Sequence, residues 1–256
     1  MAYEAHVEGA PTEAVVRRLI EEAQAAGADA VEIETTHDDG DAWIRAGFTE
    51  TARVLQAPLA ALEQHLGARS EPSFGSIHVQ TDDLDAVVRA VRQFVPRLPG
   101  GSQGSAVLPP SDGWTSAYDE LTDREPEMLR RLAREISDRM GAFVLTMGLE
   151  EGSVVRYVAF ERGRVVDEYL SVPEQYGPLP PGEVIALGAN PRLMSRLTGA
   201  DADAVRATAR TAGSAVELPP ARELLAELAR LFGIPQAAHG YPQAAEREDA
   251  IVLPRA

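Results

Sequence analysis

Three strand-length runs follow one another between residues 142 and 170 with almost nothing between them. They span 142–149, 154–161 and 164–170, joined by Glu150-Glu151-Gly152-Ser153 and Glu161-Arg162-Gly163-Arg164. A parallel crossover needs a dozen residues or more, so these strands must be antiparallel neighbours. Gly152 and Gly163 supply the positive φ that tight hairpins require. A meander of this kind cannot stand alone, and the rest of the chain has to cover its apolar surface.

The flanking sequence offers that cover. Residues 125–140 read as an amphipathic helix, with Pro126 in the first turn, Leu129, Leu132, Ile136 and Met140 along one face, and Gly141 at its end. Further helices are expected at 84–95, 184–187, 191–197, 201–212 and 220–232, and strands at 77–80, 114–118 and 250–253. The stretch 96–110 holds Gly100, Gly101, Gly104 and the pair Pro109-Pro110, and reads as a flexible loop. Residues 171–182, with Tyr176 and four prolines, read as a stiff exposed loop, foremost a crossover from the meander to the helices and alternatively a surface suited to protein recognition.

Residues 1–68 follow another pattern, β-α-β-α-β. Strands are expected at 2–7, 30–35 and 49–58, and helices at 13–26, 41–46 and 59–66. Thr12 is placed to cap the first helix, and Val15, Val16, Leu19, Ile20 and Ala23 give that helix one apolar stripe. Residues 67–75 read as a linker. The expected fold class is α/β, α+β in detail. A module at 1–68 precedes a larger α+β module at 73–256, which contains the 96–110 loop.

Composition narrows the function. All 24 basic residues are Arg, against 40 Asp and Glu, for a net charge of −16. That sign opposes nucleic acid and anionic lipid. Without Lys there is no Schiff base and no phosphate-loop lysine; without Cys there is no disulfide and no thiolate. No apolar run reaches the ~18 residues of a transmembrane helix. Glu4 and Glu8 stand where a secretory signal would be basic, so a cytoplasmic protein is expected. Residues 1–70 carry half of the charge, with 13 acidic residues against 5 Arg.

One phrase in the first module, AWIRAGFTETARVLQAPLAAL at 42–62, resembles the C-terminal half of acetyltransferases of the GNAT superfamily. Gly47-Phe48 matches the pair that closes a helix there, and 30–35 matches the strand before it. With the β-α-β-α-β order, the resemblance spans about residues 3–62. It implies an acetyl-CoA site, with Gly9, Ala10 and Thr12 at the pyrophosphate turn and Thr36 and Trp43 at the positions of the superfamily's Asn and Tyr. The sequence departs from the pattern at those positions. The turn Glu8-Gly9-Ala10-Pro11-Thr12 keeps one glycine, Pro11 lacks an N–H, and Glu8 repels phosphate. An indole at Trp43 does not protonate a leaving thiolate as a phenol does. The first half of that fold has no counterpart in the sequence, which starts near the superfamily's fourth strand. That half was lost, is supplied by a partner chain or by residues 71–170, or lies upstream of Met1. In the second module, GWTSAYDE at 113–120 and VVDEYLSVPEQYG at 165–177 resemble an uncharacterised bacterial family, which implies an architecture and no chemistry.

Tyr118, Asp119, Tyr169 and Tyr176 are the catalytic candidates. If the strands bearing Asp119-Glu120 and Asp167-Glu168 are neighbours, carboxylates converge beside the three tyrosines as an acid–base or divalent-cation site. The alternative reading is solvated strand ends. Among His6, His37, His65, His78 and His239 no pair has metal-ligand spacing, so no metal site is expected. His78 is expected on the outer face of its strand.

Three functions fit these residues. The first is a GNAT-related protein with degenerate acetyl-CoA chemistry, acting in binding or assembly. The second is an acyl-CoA-dependent N-acyltransferase completed by dimerisation. The third is a protein-interaction or immunity-like binding protein built on the second module. The partners they imply are acetyl-CoA, a second copy of the chain or another protein.

Overall fold

The structure, a computed structural model, describes residues 2–7, 11–34, 40–51, 54–59, 62 and 73–254. It is a mixed α+β protein, with two sheets among the described residues. The first sheet is built from β1 (Ala2–His6), β2 (Ala30–Glu34), β3 (Thr49–Thr51) and β4 (Val54–Pro58), in the order β1-β2-β4-β3. β1 and β2 are parallel, joined through helix α1 (Glu13–Ala25). The hydroxyl of Thr12 caps α1 by accepting from the N–H of Val15 at 3.4 Å. α1 lays Val16, Leu19, Ile20 and Ala23 on Val31 and Ile33. Helix α2 (Gly40–Arg45) adds Trp43 to the same core. The strand expected at 49–58 is an antiparallel pair, β3 against β4. Of the helix and linker expected at 59–75, residues 60, 61 and 63–72 lie outside the described residues.

The second sheet has seven strands, β5 (Phe74–Gln80), β6 (Gly104–Ser111), β7 (Trp114–Asp119), β8 (Phe143–Glu150), β9 (Val154–Glu161), β10 (Arg164–Leu170) and β11 (Ile251–Pro254). All its pairings are antiparallel, in the order β10-β9-β8-β5-β7-β6-β11. The expected meander is β8-β9-β10. Arg162-Gly163 turns β9 into β10 with φ of 50° and 71°, and Asp112-Gly113 turns β6 into β7 with φ of 53° and 81°. Positive φ at both central residues matches the twist of the paired strands.

Both faces of this sheet are covered. Helices α3 (Leu84–Phe94) and α5 (Pro126–Met140) pack Val87, Val91, Leu132 and Ile136 on Ile77, Val79, Val144 and Val158. The opposite face carries Leu145, Met147, Tyr157 and Tyr169. It is closed by α7 (Pro191–Thr198), α8 (Ala202–Thr208) and α9 (Ala221–Leu231) through Met194, Val205, Leu225 and Leu228. Three shorter helices are α4 (Glu120–Arg124), α6 (Pro181–Ala186) and α10 (Tyr241–Ala245). Among the described residues no helix is long and apolar enough to cross a membrane.

The stretch 96–110 departs from its expected loop. Its second half is β6, held between β7 and β11. A Cβ at Gly104 would crowd the Tyr241 hydroxyl, so a larger residue there would have to displace that ring. Pro109 and Pro110 fall where the ladder to β7 shifts register, between Leu108 and Ser111, so no ladder N–H is missed.

Candidate functional site

The residues implied by the acetyltransferase resemblance sit as follows. Gly9, Ala10 and Thr36 lie outside the described residues. Thr12 is spent on capping α1. Trp43 is fully buried and packs edge-on against Phe48, ring centroids 5.1 Å apart.

The four catalytic candidates are not brought together. β7 and β10 are separated by β5, β8 and β9, so Asp119 and Asp167 are not neighbours. Asp119 is buried and accepts the hydroxyls of Ser102 at 2.7 Å and Ser105 at 2.5 Å, together with the N–H of Leu121. It is thereby the cap of α4. Burial raises its pKa against these three donors. Tyr118 donates to the carbonyl of Gln236 at 2.8 Å, and Tyr169 to that of Arg210 at 2.7 Å. Asp167 accepts from the Tyr157 hydroxyl at 2.7 Å and from the N–H of Asn190. Each polar group fixes a segment that lies far away in sequence.

His78 corrects its expected place. Its side chain does point away from Ile77 and Val79, but the C-terminal segment covers that face and the ring is completely buried. Nε2 lies 2.8 Å from Ser76 Oγ, and Nδ1 lies 2.8 Å from Ser116 Oγ. Ser76 gives its own proton to the carbonyl of Met147 at 3.1 Å, so it must accept from Nε2–H, and Nδ1 accepts from Ser116. Tyr118 packs edge-on to His78 and stacks on His239 at 5.2 Å. Burial lowers the pKa of both histidines.

The fold does assemble one charged cluster, at a cleft between the start of α5 and the sheet. Phe74, Pro126, Leu129, Thr146, Leu149 and Val158 form its apolar walls. Arg156 Nε lies 2.9 Å from Glu150 Oε1, and Arg130 Nη1 donates to Glu168 Oε1 at 2.7 Å. Arg156 also approaches Glu168 at 3.9 Å, which links the two pairs. Tyr176 is 56% exposed, yet its hydroxyl reaches inward and donates to Glu150 Oε2 at 2.8 Å. Burial raises the Glu150 carboxyl, against the pull of Arg156. Across the cleft, Asp123 accepts from the N–H of Gly75 at 3.0 Å and of Tyr241 at 2.8 Å. Burial pushes its pKa up to about 6.

Of the sequence candidates, Glu168 and Tyr176 belong to this cluster, joined through Arg156 and Glu150. Arg130, Glu150, Arg156 and Asp123 were not among them. The available signal is the pairing of β8 with β9, which sets Gly148 opposite Arg156 and Glu150 opposite Val154. Each charged side chain in the cluster has an ion-pair or hydrogen-bond partner, though Arg156 Nε, 2.9 Å from Glu150, is not aligned to donate to it, and the arrangement holds a surface in shape. Among the described residues no three His, Asp or Glu side chains converge as a metal site.

The chain matches no family model, and no curated protein or solved structure is significantly similar to it.

Proposed function

We propose that this is a GNAT-related cytoplasmic protein whose acetyl-CoA chemistry is degenerate and whose role is binding or assembly with another protein or a second copy of itself. One observation carries the reading. Trp43, at the position where the superfamily keeps a proton-donating tyrosine, is fully buried against Phe48 and serves the core. The crossover from β1 through α1 to β2, followed by α2 and the β3–β4 pair, supports the relationship itself. Thermal unfolding with and without millimolar acetyl-CoA tests the proposal. Ligand that binds the folded state raises the midpoint. The expected result is no saturable rise attributable to the first module. Stabilisation by several kcal/mol that disappears with desulfo- and dephospho-analogues would instead favour the alternative, an acyltransferase completed by dimerisation.

A specific observation favours protein recognition by the second module as the mode of binding. Helix α6 buries none of its side chains, and Ile185 on it is 77% exposed beside the Pro-rich segment bearing Tyr176. The stretch 171–191 holds Glu174 and Glu183 and no Arg, so the complementary partner is basic around an apolar anchor. Ile185→Ser should leave the unfolding free energy within about 0.5 kcal/mol, since the side chain has nothing to lose in the free protein.

A further inference from the structure

Among the described residues several exposed arginines take no ion pair, Arg131 between Glu127 and Glu135 included, but Arg89 and Arg139 share a groove. Glu13–Arg17 on α1 and Glu120–Arg124 on α4 take an i,i+4 pairing, at 2.8 Å and 2.6 Å. Arg89 on α3 follows Asp85 by the same spacing, and Arg139 on α5 follows Glu135. Among the described residues, neither arginine has a carboxylate within ion-pair distance. Both line a single groove where α3 passes the C-terminal end of α5.

The groove is open to solvent along one side and has a volume of about 470 Å³. Small residues open its floor, Ala86 and Ala90 from α3 and Ala142 from the approach to β8, with Met140 beside them. Amides from Gln80 and Gln93 stand along the walls. Gln80 Nε2 donates to the carbonyl of Leu197 at 3.1 Å, which fixes that amide. The acid in the lining, Asp83, accepts from the N–H of Ala86 at 2.8 Å as the cap of α3. Two guanidinium groups against one capped carboxylate give the groove a positive balance inside a molecule of net charge −16. Guanidinium forks match the oxygens of carboxylate and phosphate.

We propose that this groove binds a small organic anion, a polycarboxylate or a phosphate ester, with Arg89 and Arg139 as its clamps and the alanine floor receiving its carbon skeleton. The site is independent of the acetyl-CoA question, because it lies on the second module and uses neither Trp43 nor Thr12.

Calorimetric titration at constant ionic strength tests it, with citrate as the carboxylate probe and sodium pyrophosphate as the phosphate probe. Saturable binding of either is expected, and the probe that binds more tightly identifies the oxyanion. Arg89→Gln and Arg139→Gln should each weaken binding about tenfold, and the double variant should abolish it. Arg131→Gln, on the exposed side of α5 and outside the groove, should bind as the parent does. All four variants replace exposed arginines, so their unfolding midpoints without ligand should agree with the parent. Absence of saturable binding by both probes, or equal binding by the double variant, overturns the proposal. An acetyl-CoA response that persists in the double variant overturns the degenerate reading of the first module and leaves the groove untouched.

Discussion

A histidine with both ring nitrogens bonded inside a sheet has one protonation state open to it. Protonating His78 would set a second N–H against the hydroxyl that Ser116 now points at Nδ1, in a place without solvent. Burial accordingly drives its pKa from 6.5 down to about 3. The folded value lies below the unfolded one, so this contribution to stability is whole above pH 6.5 and is lost as pH falls toward 3. At about 1.4 kcal/mol per pH unit, the loss between pH 6.5 and 5 is about 2 kcal/mol. Urea unfolding at the two pH values measures it, and the imidazole carbon shifts of His78 should stay at their neutral values to pH 4. Asp123 acts with the opposite sign. Its pKa is raised from 3.8 to about 6, so its contribution is whole below pH 3.8 and is lost as pH rises through 6. Asp123→Asn should flatten that part of the stability profile. It should also cost about 1–3 kcal/mol, because an amide accepts from only one of the N–H groups of Gly75 and Tyr241. Strand alternation in the sequence places His78 opposite Ile77 and Val79. What covers that face comes from residues 235–245, and nothing near His78 announces it. The charged cluster was illegible for the same reason, since Arg130, Glu150 and Glu168 come from three elements that meet only once the strand order is known.

At the scale of elements, the meander was legible because two local signals agree, strand-length apolar runs and glycine at the turns. Gly163 is the stronger test of that agreement. Its φ is 71°, and a Cβ there would lie 2.8 Å from Asp138 Cβ on α5. Gly141 has a φ of 64° but nothing within 4 Å of an added Cβ. Gly141→Ala should therefore cost about 1 kcal/mol, the left-handed penalty alone. Gly163→Ala should cost more, about 2–3 kcal/mol, since hairpin and helix must also separate. Chemical denaturation of the two variants side by side decides this. β6 shows the converse case. Gly104, Pro109 and Pro110 are poor strand formers, and the strand exists because β7 and β11 flank it. The partner β11 lies at the other end of the module in sequence, beyond the reach of any local pattern.

For the whole molecule, the two larger apolar clusters of the large sheet sit on its opposite faces, a smaller one joins Ala106, Leu108 and Tyr118 to Ala244 of α10, and the first sheet has a cluster of its own. The −8 carried by residues 1–70 falls on the module of that first sheet. The strand order of the large sheet carries one more consequence, for how the chain reaches this state. β5 comes first in sequence among its strands and lies in the middle of the sheet, and both of its neighbours, β7 and β8, are synthesised after intervening helices or strands. Only β6-β7 and β8-β9-β10 can zip locally as hairpins. The two subassemblies then have to be joined across β5, and β11 has to return to β6. Joining them costs loop-closure entropy before any contact rewards it. Refolding should therefore occur in the millisecond-to-second range typical of non-local sheets, with hairpin formation preceding it on a timescale of about microseconds. Stopped-flow fluorescence from Trp114, at the β6–β7 turn, follows the slower step.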